Sequence, residues 1–503
     1  MLECCAISIC RIVLKLPNLD GTRKRSVAQI LFDLLETDDV YVLENTINAA
    51  RALAERGSCF SEILSDEMIL RVATTGLKYK ERIVISSQCC CLLAVFSFDN
   101  LSHNALSSPE VMKIFDVMAR AEDMSCRELT AVCLCNVSTY YYARERLIEH
   151  GVITLLTELS CATNETIQHL CARCVCNLTV TEDHQKQLID EKVLEMIHMI
   201  CQVRSVAAET KRLCARALLN LLTPQNMPYA IEGGVIRAFA TIASSSAVTV
   251  PTLHLCARAL LIFSATNEGC LEVGQRRLIM NHLFTLVNCE SMKTKVIIGK
   301  AACNLLACKE TRLNTIRAGG LQVLKIICTL NNEDLLVITM QTIISLSRDE
   351  NIQLQLVNEP LVPMIVLVLQ KSSSWAFECA LQAAACLSVN PIFRKSLVEK
   401  GYIGASMCSS LAGKINDDVL SEACSRTLYY LSYAHDHIEA MVHDNYIVCL
   451  LQSLCIYLND NHPSEGCQNQ GMSVECGTLV AITLRNLSFK VSVCKAIVEQ
   501  KGK

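Results

Sequence analysis

Aromatic residues are scarce in this chain: they make up 5% of 503 residues, and there is a single tryptophan, Trp375. Proline (9) and glycine (18) are scarce too. Sheet architectures draw on aromatic and β-branched side chains and on frequent turns, so these shortages argue against β folds and for tightly packed helices built from small residues. Charge of one sign is also lacking. The formal net charge of −4 is close to neutral for this length, which excludes a bulk basic surface for nucleic acid and an acidic tail, and leaves any charged function to a local patch. No run of 18 or more uncharged apolar residues occurs, so no transmembrane helix is predicted. Nucleotide-binding glycine loops, Gly-x-Ser-x-Gly elbows and His-Glu-x-x-His motifs are all missing, and no catalytic residue is assigned.

What the chain has in abundance is apolar residues, 51% of the total, and 31 cysteines. The cysteines sit inside apolar runs rather than in loops, and their number is odd. A chain this long is not a small disulfide scaffold, and free cysteine packs as a small hydrophobe. The expectation is a reducing compartment: cytoplasm, with nucleus or cytoskeleton as further locations. The sequons at Asn136, Asn164, Asn177 and Asn486 would matter only in a secreted protein, and three of them fall inside predicted buried helices. The opening, MLECCAISICRIVLKLP, has a short apolar stretch without a basic leader or a clear small-residue cleavage site. It is read as the last helix of a partial leading repeat over residues 1–21.

A pattern of one variable residue, then Leu, Phe or Val, then Ser, Thr, Ala or Leu closes each apolar run. Its first position, called the marker below, falls at Ala52, Val95, Asn136, Asn177, Asn220, Ile262, Asn304, Ser345, Cys386, Tyr430 and Asn486. The steps are 43, 41, 41, 43, 42, 42, 41, 41, 44 and 56 residues. So steady a period is the signature of a helical solenoid. The final long step contains NDNHPSEGCQNQGMSVE, read as a polar insertion over about 459–475 within a last repeat spanning about 443–503. Pro109, Pro224, Pro251, Pro360 and Pro391 lie near the ends of apolar runs. Gly151, Gly233–Gly234, Gly319–Gly320 and Gly401 recur about 15 residues after a marker, each opening a second apolar run. Each unit therefore predicts a short linker helix, a Gly-initiated helix and a longer helix ending at the marker.

The order GVITLLTEL, then the cysteine- and alanine-bearing helix, then Asn-Leu-Thr, seen best in 151–192, resembles the armadillo repeat. The resemblance covers residues 22–503 as eleven units in one continuous solenoid, and it implies an all-α right-handed superhelix. HEAT repeats are the near alternative, but the prolines and the Asp/Arg turn positions typical of their first helix are not seen here.

The ten residues HLCARCVCNL (169–178) return as RLCARALLNL (212–221) and HLCARALLIF (254–263). Their polar residues are four apart: His169, Arg173 and Asn177; Arg212, Arg216 and Asn220; His254 and Arg258, where Ile262 breaks the series. Spacing of four keeps them on one narrow face of a helix that is otherwise apolar. Stacked in register, the position four before the marker reads Arg173, Arg216, Arg258 and Lys300; Gln341 and Gln382 follow, and Arg426 restores the charge. Cys171-Ala-Arg-Cys174 is formally a C-x-x-C pair. It lies mid-helix with no second pair nearby, however, and the Cys171 position holds Thr130, Ile298, Thr339, Ala380 and Val480 in other units. A position that takes such residues is selected for small volume, so no metal and no cofactor is assigned.

In armadillo proteins the third helix lines a groove whose Asn holds the backbone of an extended peptide. The resemblance implies that role for Asn136, Asn177, Asn220 and Asn304, and for Asn486 beyond the interruption. Importin-alpha-type grooves pair each Asn with a Trp four residues earlier. Here that slot holds Arg or Lys, which repels basic cargo and attracts carboxylates or phosphates. The groove therefore looks closer to the beta-catenin type. The expected function is that of a non-enzymatic scaffold or adaptor whose partner is a protein, gripped through an extended acidic or phosphorylated segment, with no small-molecule substrate and no specific nucleic acid. A structural component of a cytoskeletal or ciliary assembly and a nuclear transport adaptor are the alternatives.

Overall fold

Polar residues just ahead of the long apolar runs start the helices. Asn164 Oδ1 accepts from Ile167 N at 3.1 Å, Ser291 Oγ from Thr294 N at 3.3 Å and Asn332 Oδ1 from Leu335 N at 3.0 Å. Each satisfies one of the N–H groups that a helix start leaves without an internal partner. The helices that follow are Glu165–Leu178, Met292–Ala307 and Glu333–Ser347. The computed structural model describes residues 21–55, 63–203, 206–245, 248–357, 359–371, 375–402, 418–434 and 474–500, with a few isolated residues besides. The described residues form α-helices and short 3-10 turns, with no strand among them. The greater part of the leading segment 1–21 and of the 459–475 insertion lies outside them; Gly21 opens the helix Gly21–Leu34, and Val474 and Glu475 open the helix Val474–Leu487.

The three-helix repeat is present. In the unit around the quoted motif, the first helix is Tyr141–Glu149, the second Val152–Ser160 and the third Glu165–Leu178. The next unit repeats it as Gln185–Asp190, Val193–Gln202 and Ala208–Asn220. Between first and second helices the chain passes through one left-handed residue: Gly151, Gly234 and Gly319 have φ of 75°, 84° and 91°, and Gly401, just after the helix Pro391–Glu399, has φ 76°. The recurring glycines thus serve a turn that costs an L-residue about 1–2 kcal/mol. In one repeat Lys192 fills the same place at φ 67°.

The chain divides into two compact units, residues 1–259 and 260–503. Within each, third helices stack on third helices of adjacent repeats. Glu165–Leu178 packs on both Met124–Val137 and Ala208–Asn220; in the second unit Glu333–Ser347 packs on Met292–Ala307 and Trp375–Ser388. Small residues permit the close approach. Cys171, Ala172 and Cys174 are fully buried, as are Ala301, Ala302, Ala383 and Ala384. One repeat alone could not cover such faces, so stability is a sum over neighbouring interfaces.

A second device ties the end of a third helix to the first helix that follows. Eight residues after the marker, His103 Nε2 donates to Ser97 O at 2.8 Å, Arg144 Nε to Ser138 O at 2.8 Å, Gln185 Nε2 to Thr179 O at 3.0 Å and Arg394 Nε to Ser388 O at 2.8 Å. Arg312 Nε, at the same place, donates to Leu306 O at 2.8 Å. Helix ends leave carbonyls unpaired, and these side chains satisfy them from outside the helix. Among the described residues no single helix is long and apolar enough to cross a membrane.

Candidate functional site

The polar stripe expected on the third helices is present. In the first unit Arg173, Arg216 and Arg258 occupy the same position on three consecutive helices, and all three are exposed. None forms an ion pair or a hydrogen bond with another described residue. Arg173 lies near Cys135 of the preceding repeat, and Arg216 near Cys176. Each tempers the upward push that burial gives its neighbouring thiol, which for Cys135 reaches about 11.

The rest of the stripe is partnered. Arg212 grips Glu209 on its own helix through two bonds, Nε to Oε2 at 2.7 Å and Nη2 to Oε1 at 2.5 Å, and the guanidinium holds the Glu209 carboxyl below its ordinary range. His169 Nδ1 lies 3.0 Å from the Thr210 hydroxyl on the next third helix. His254 is half-buried. In the second unit Lys300 is half-buried and makes no ion pair with a described residue, whereas Arg426 is paired with Glu422 of its own helix.

The asparagines have an internal role that the sequence reading missed. Asn136 Nδ2 donates to Ser97 Oγ at 2.9 Å, Asn177 Nδ2 to Ser138 Oγ at 3.0 Å and Asn220 Nδ2 to Thr179 Oγ1 at 3.2 Å. In the second unit Asn304 Nδ2 reaches Ser264 Oγ at 3.2 Å and Asn486 Nδ2 reaches Ser432 Oγ at 3.0 Å. Each acceptor lies two residues after the marker of the preceding repeat. Its own hydrogen is already donated to a carbonyl three residues back: Ser97 to Ala94 at 2.7 Å, Ser138 to Cys135 at 2.7 Å, Thr179 to Cys176 at 3.1 Å. A hydroxyl has one hydrogen to give, so toward the asparagine it can only accept. This fixes the amide with nitrogen toward the neighbouring repeat. One Nδ2 hydrogen remains over, and among the described residues Oδ1 of Asn136, Asn177, Asn220 and Asn304 accepts no hydrogen bond. That is the donor–acceptor pair an extended backbone requires.

A sequence signal for this pairing exists. All five marker asparagines follow a repeat whose third pattern residue is Ser or Thr. Where that residue is Ala54, Leu222 or Leu306, the next marker is Val95, Ile262 or Ser345. In the last case Ser345 Oγ accepts instead from the buried Arg312 Nη2 at 3.0 Å, and Arg312 Nη1 pairs with Asp349 at 2.6 Å.

Cys171 and Cys174 are packed between helices, and burial drives both thiols far above their ordinary range. Among the described residues no three metal-ligating side chains come together.

No family model matches the chain, and no curated protein matches it. Solved structures do. One, from a study of a phosphorylation switch controlling the interaction between cadherin and beta-catenin, aligns at TM-score 0.53 with 14% identity, over 96% of this chain and 96% of that one. A computationally designed armadillo repeat protein for modular peptide recognition aligns at TM-score 0.40 with 16% identity, over 47% of this chain and 98% of that one. A designed armadillo repeat protein in complex with the peptide (KR)4 aligns at TM-score 0.38 with 15% identity, over 47% of this chain and 98% of that one. With the three-helix repeat and its 41–44-residue period, the fold is an all-α armadillo-like solenoid.

Proposed function

We propose that the chain is a non-enzymatic protein-binding scaffold or adaptor, and that its third helices hold an extended, acidic or phosphorylated segment of a partner in a groove of the beta-catenin type. One observation carries the reading: Arg173, Arg216 and Arg258 stand exposed and unpaired at the same position of the third helices of three consecutive repeats, the first two of which pack on each other. Surface arginines of a repeat array commonly spend their charge on a neighbouring carboxylate, as Arg212 does here. Three in a row left without one form a surface whose complement is anionic.

The division of labour follows from chemistry. Asn136, Asn177 and Asn220 are held by their neighbours with a donor and an acceptor to spare, and serve the partner backbone, which has no charge to read. The arginines read side-chain carboxylates or phosphates, and can do so bidentately. His169, Arg212 and His254 complete the polar wall of this groove. Lys300 and Asn304 offer the same two chemistries within the second unit. Helices packed about 8–10 Å apart and an extended chain rising about 3.3 Å per residue place roughly two to three partner residues against each rung. Three rungs then read a segment of about six to nine residues. The location that fits such an adaptor is the cytoplasm.

The test is peptide-array and anisotropy binding of acidic, phosphorylated and Lys/Arg-rich peptides to the wild-type chain and to Arg173→Glu/Arg216→Glu/Arg258→Glu. Exposed charge contacts are worth about 0.2–1 kcal/mol each, and reversal adds repulsion, so the triple change should weaken acidic peptides about 100-fold. Preference for basic peptides, or indifference to the triple change, would sink the reading. The second of those outcomes, together with co-purification in a large assembly, would favour the structural-component alternative.

A further inference from the structure

The first unit carries a second surface feature that the arginines do not explain. At the turn between third and first helix, two consecutive repeats present large apolar side chains to solvent: Phe98 and Leu101 are 74% and 81% exposed, Tyr141 and Tyr142 are 58% and 70%. Val180, at the matching place in the third repeat, is 53% exposed. The positions are in register. Phe98 and Val180 are both three residues after a marker, Leu101 and Tyr142 both six after. At the next turn in this unit the series stops, with Thr223, Pro224 and Gln225. Single apolar residues scattered on a surface need no account, but four large ones at two successive turns, with a fifth at the next, do.

This ridge and the arginine row overlap on one helix. Arg173 and Val180 are seven residues apart on and just beyond Glu165–Leu178, which is about 10 Å along a helix axis. The apolar turns belong to the repeats ending at 95, 136 and 177, and the arginines to those ending at 177, 220 and 262. Charge separates the two surfaces. Exposed Glu182 and Asp183 follow Val180 in the turn next to the arginine row, so an acidic stretch is repelled at that turn and drawn toward the arginines; the helix that begins with Tyr141 and Tyr142 carries both signs, with Glu145 between Arg144 and Arg146.

Resting on the function proposed above, we infer that the partner segment is bipartite: an acidic run over Arg173, Arg216 and Arg258, joined to an uncharged group of aromatic or aliphatic residues that covers Phe98, Leu101, Tyr141, Tyr142 and Val180. The ridge supplies affinity through apolar burial and fixes the direction in which the segment lies, because an apolar anchor at the Arg258 end of the acidic run would lie beyond the repeats that carry the ridge.

The probes are fluorescein-labelled octaglutamate, and octaglutamate extended by Leu-Phe-Leu at its N-terminus or at its C-terminus, read by anisotropy. One extended peptide should bind the wild-type chain at least tenfold tighter than octaglutamate, and the other should gain little. Leu101→Ser/Tyr142→Ser, and separately Phe98→Ser/Val180→Ser, should cut that gain to threefold or less while leaving octaglutamate affinity unchanged; all four side chains are exposed, and circular dichroism with melting checks the fold. Equal gain at both ends, no gain, or a gain that survives both pairs of substitutions overturns the inference. So does a homodimer, seen by sedimentation velocity, that either pair dissociates, since the ridge is then covered by a second copy. The Arg173→Glu/Arg216→Glu/Arg258→Glu variant separates the failures. If it abolishes octaglutamate binding while the ridge variants change nothing, only the bipartite segment is lost. If it changes nothing, the acidic groove is lost as well.

Discussion

Asn177 and Ser138 join two repeats through one hydrogen bond of 3.0 Å whose direction is set by a third group: the Ser138 hydrogen is already on Cys135 O at 2.7 Å, so Asn177 must donate. Removing the hydroxyl leaves a half-buried amide hydrogen without its partner, at a cost of about 1 kcal/mol. Ser138→Ala should lower the unfolding free energy measured in urea by that amount, as should Asn177→Ala, and the double variant should lose less than the sum of the two. Strict additivity would show that the bond contributes nothing to the repeat interface.

The same pair shows how far the sequence could be read. The period, the three-helix unit and the apolar faces were legible because each repeats at fixed spacing, and the recurring glycines were legible as the openings of second helices for the same reason, though their left-handed backbone was not. Asn177 and Arg173 stood out for the same reason. What the periodic reading did not reveal was pairing between repeats. It treats each unit as a copy of the others, whereas Asn177 to Ser138, or Arg312 to Asp349, depends on two different positions about one period apart. The exposed ridge was hidden too, because Phe98 and Leu101 are apolar residues next to an apolar helix and their solvent exposure is set by the turn.

Lys192 provides a local test of the turn. It holds φ 67° where the other repeats use glycine, and a Cβ built at Gly151, Gly234 or Gly319 meets nothing within 4 Å, so the strain is in the backbone alone. Lys192→Gly relieves about 1–2 kcal/mol of strain but gives the unfolded chain more freedom to lose, so the net gain should be about 0.5–1 kcal/mol. Gly234→Ala should destabilise by about 1 kcal/mol. Melting temperatures that move in the same direction for both variants would contradict this assignment.

The buried Arg312 pairs with the half-buried Asp349 in the second unit, with side chains 4% and 18% exposed. The guanidinium also donates to Leu306 O, Ala307 O and Ser345 Oγ, so Arg312→Met strips several acceptors and leaves a carboxylate behind; a cost of about 3 kcal/mol is expected. The bond from Arg312 lowers the Asp349 carboxyl below its ordinary range. A depressed acid contributes stability above its unfolded value, about 3.9, and loses it as pH falls through the lower folded value. Stability of the wild-type chain should therefore fall more steeply below about pH 4 than that of Asp349→Asn. Parallel curves would mean that the pair carries no linkage.

The cysteines of HLCARCVCNL provide the last test, because a redox or metal role and a packing role predict opposite reactivity. Alkylation needs the thiolate and an approach path. Cys171 and Cys174 lack both: each is fully buried, burial holds each thiol far above its ordinary range, and Cys174 Sγ points to Leu134 O at 3.5 Å. Cys161, ten residues before Cys171 and at the end of a second helix, is exposed. Iodoacetamide at pH 8 should label Cys161 in the native chain and spare Cys171 and Cys174 until denaturant is added, as read by peptide mass. Cys171→Ala should be tolerated, as Ala380 is at the same position of another repeat, at a cost below about 1.5 kcal/mol. Rapid native labelling of Cys171, or protection of it by added zinc, would return the motif to chemistry and remove it from the packing of the stack.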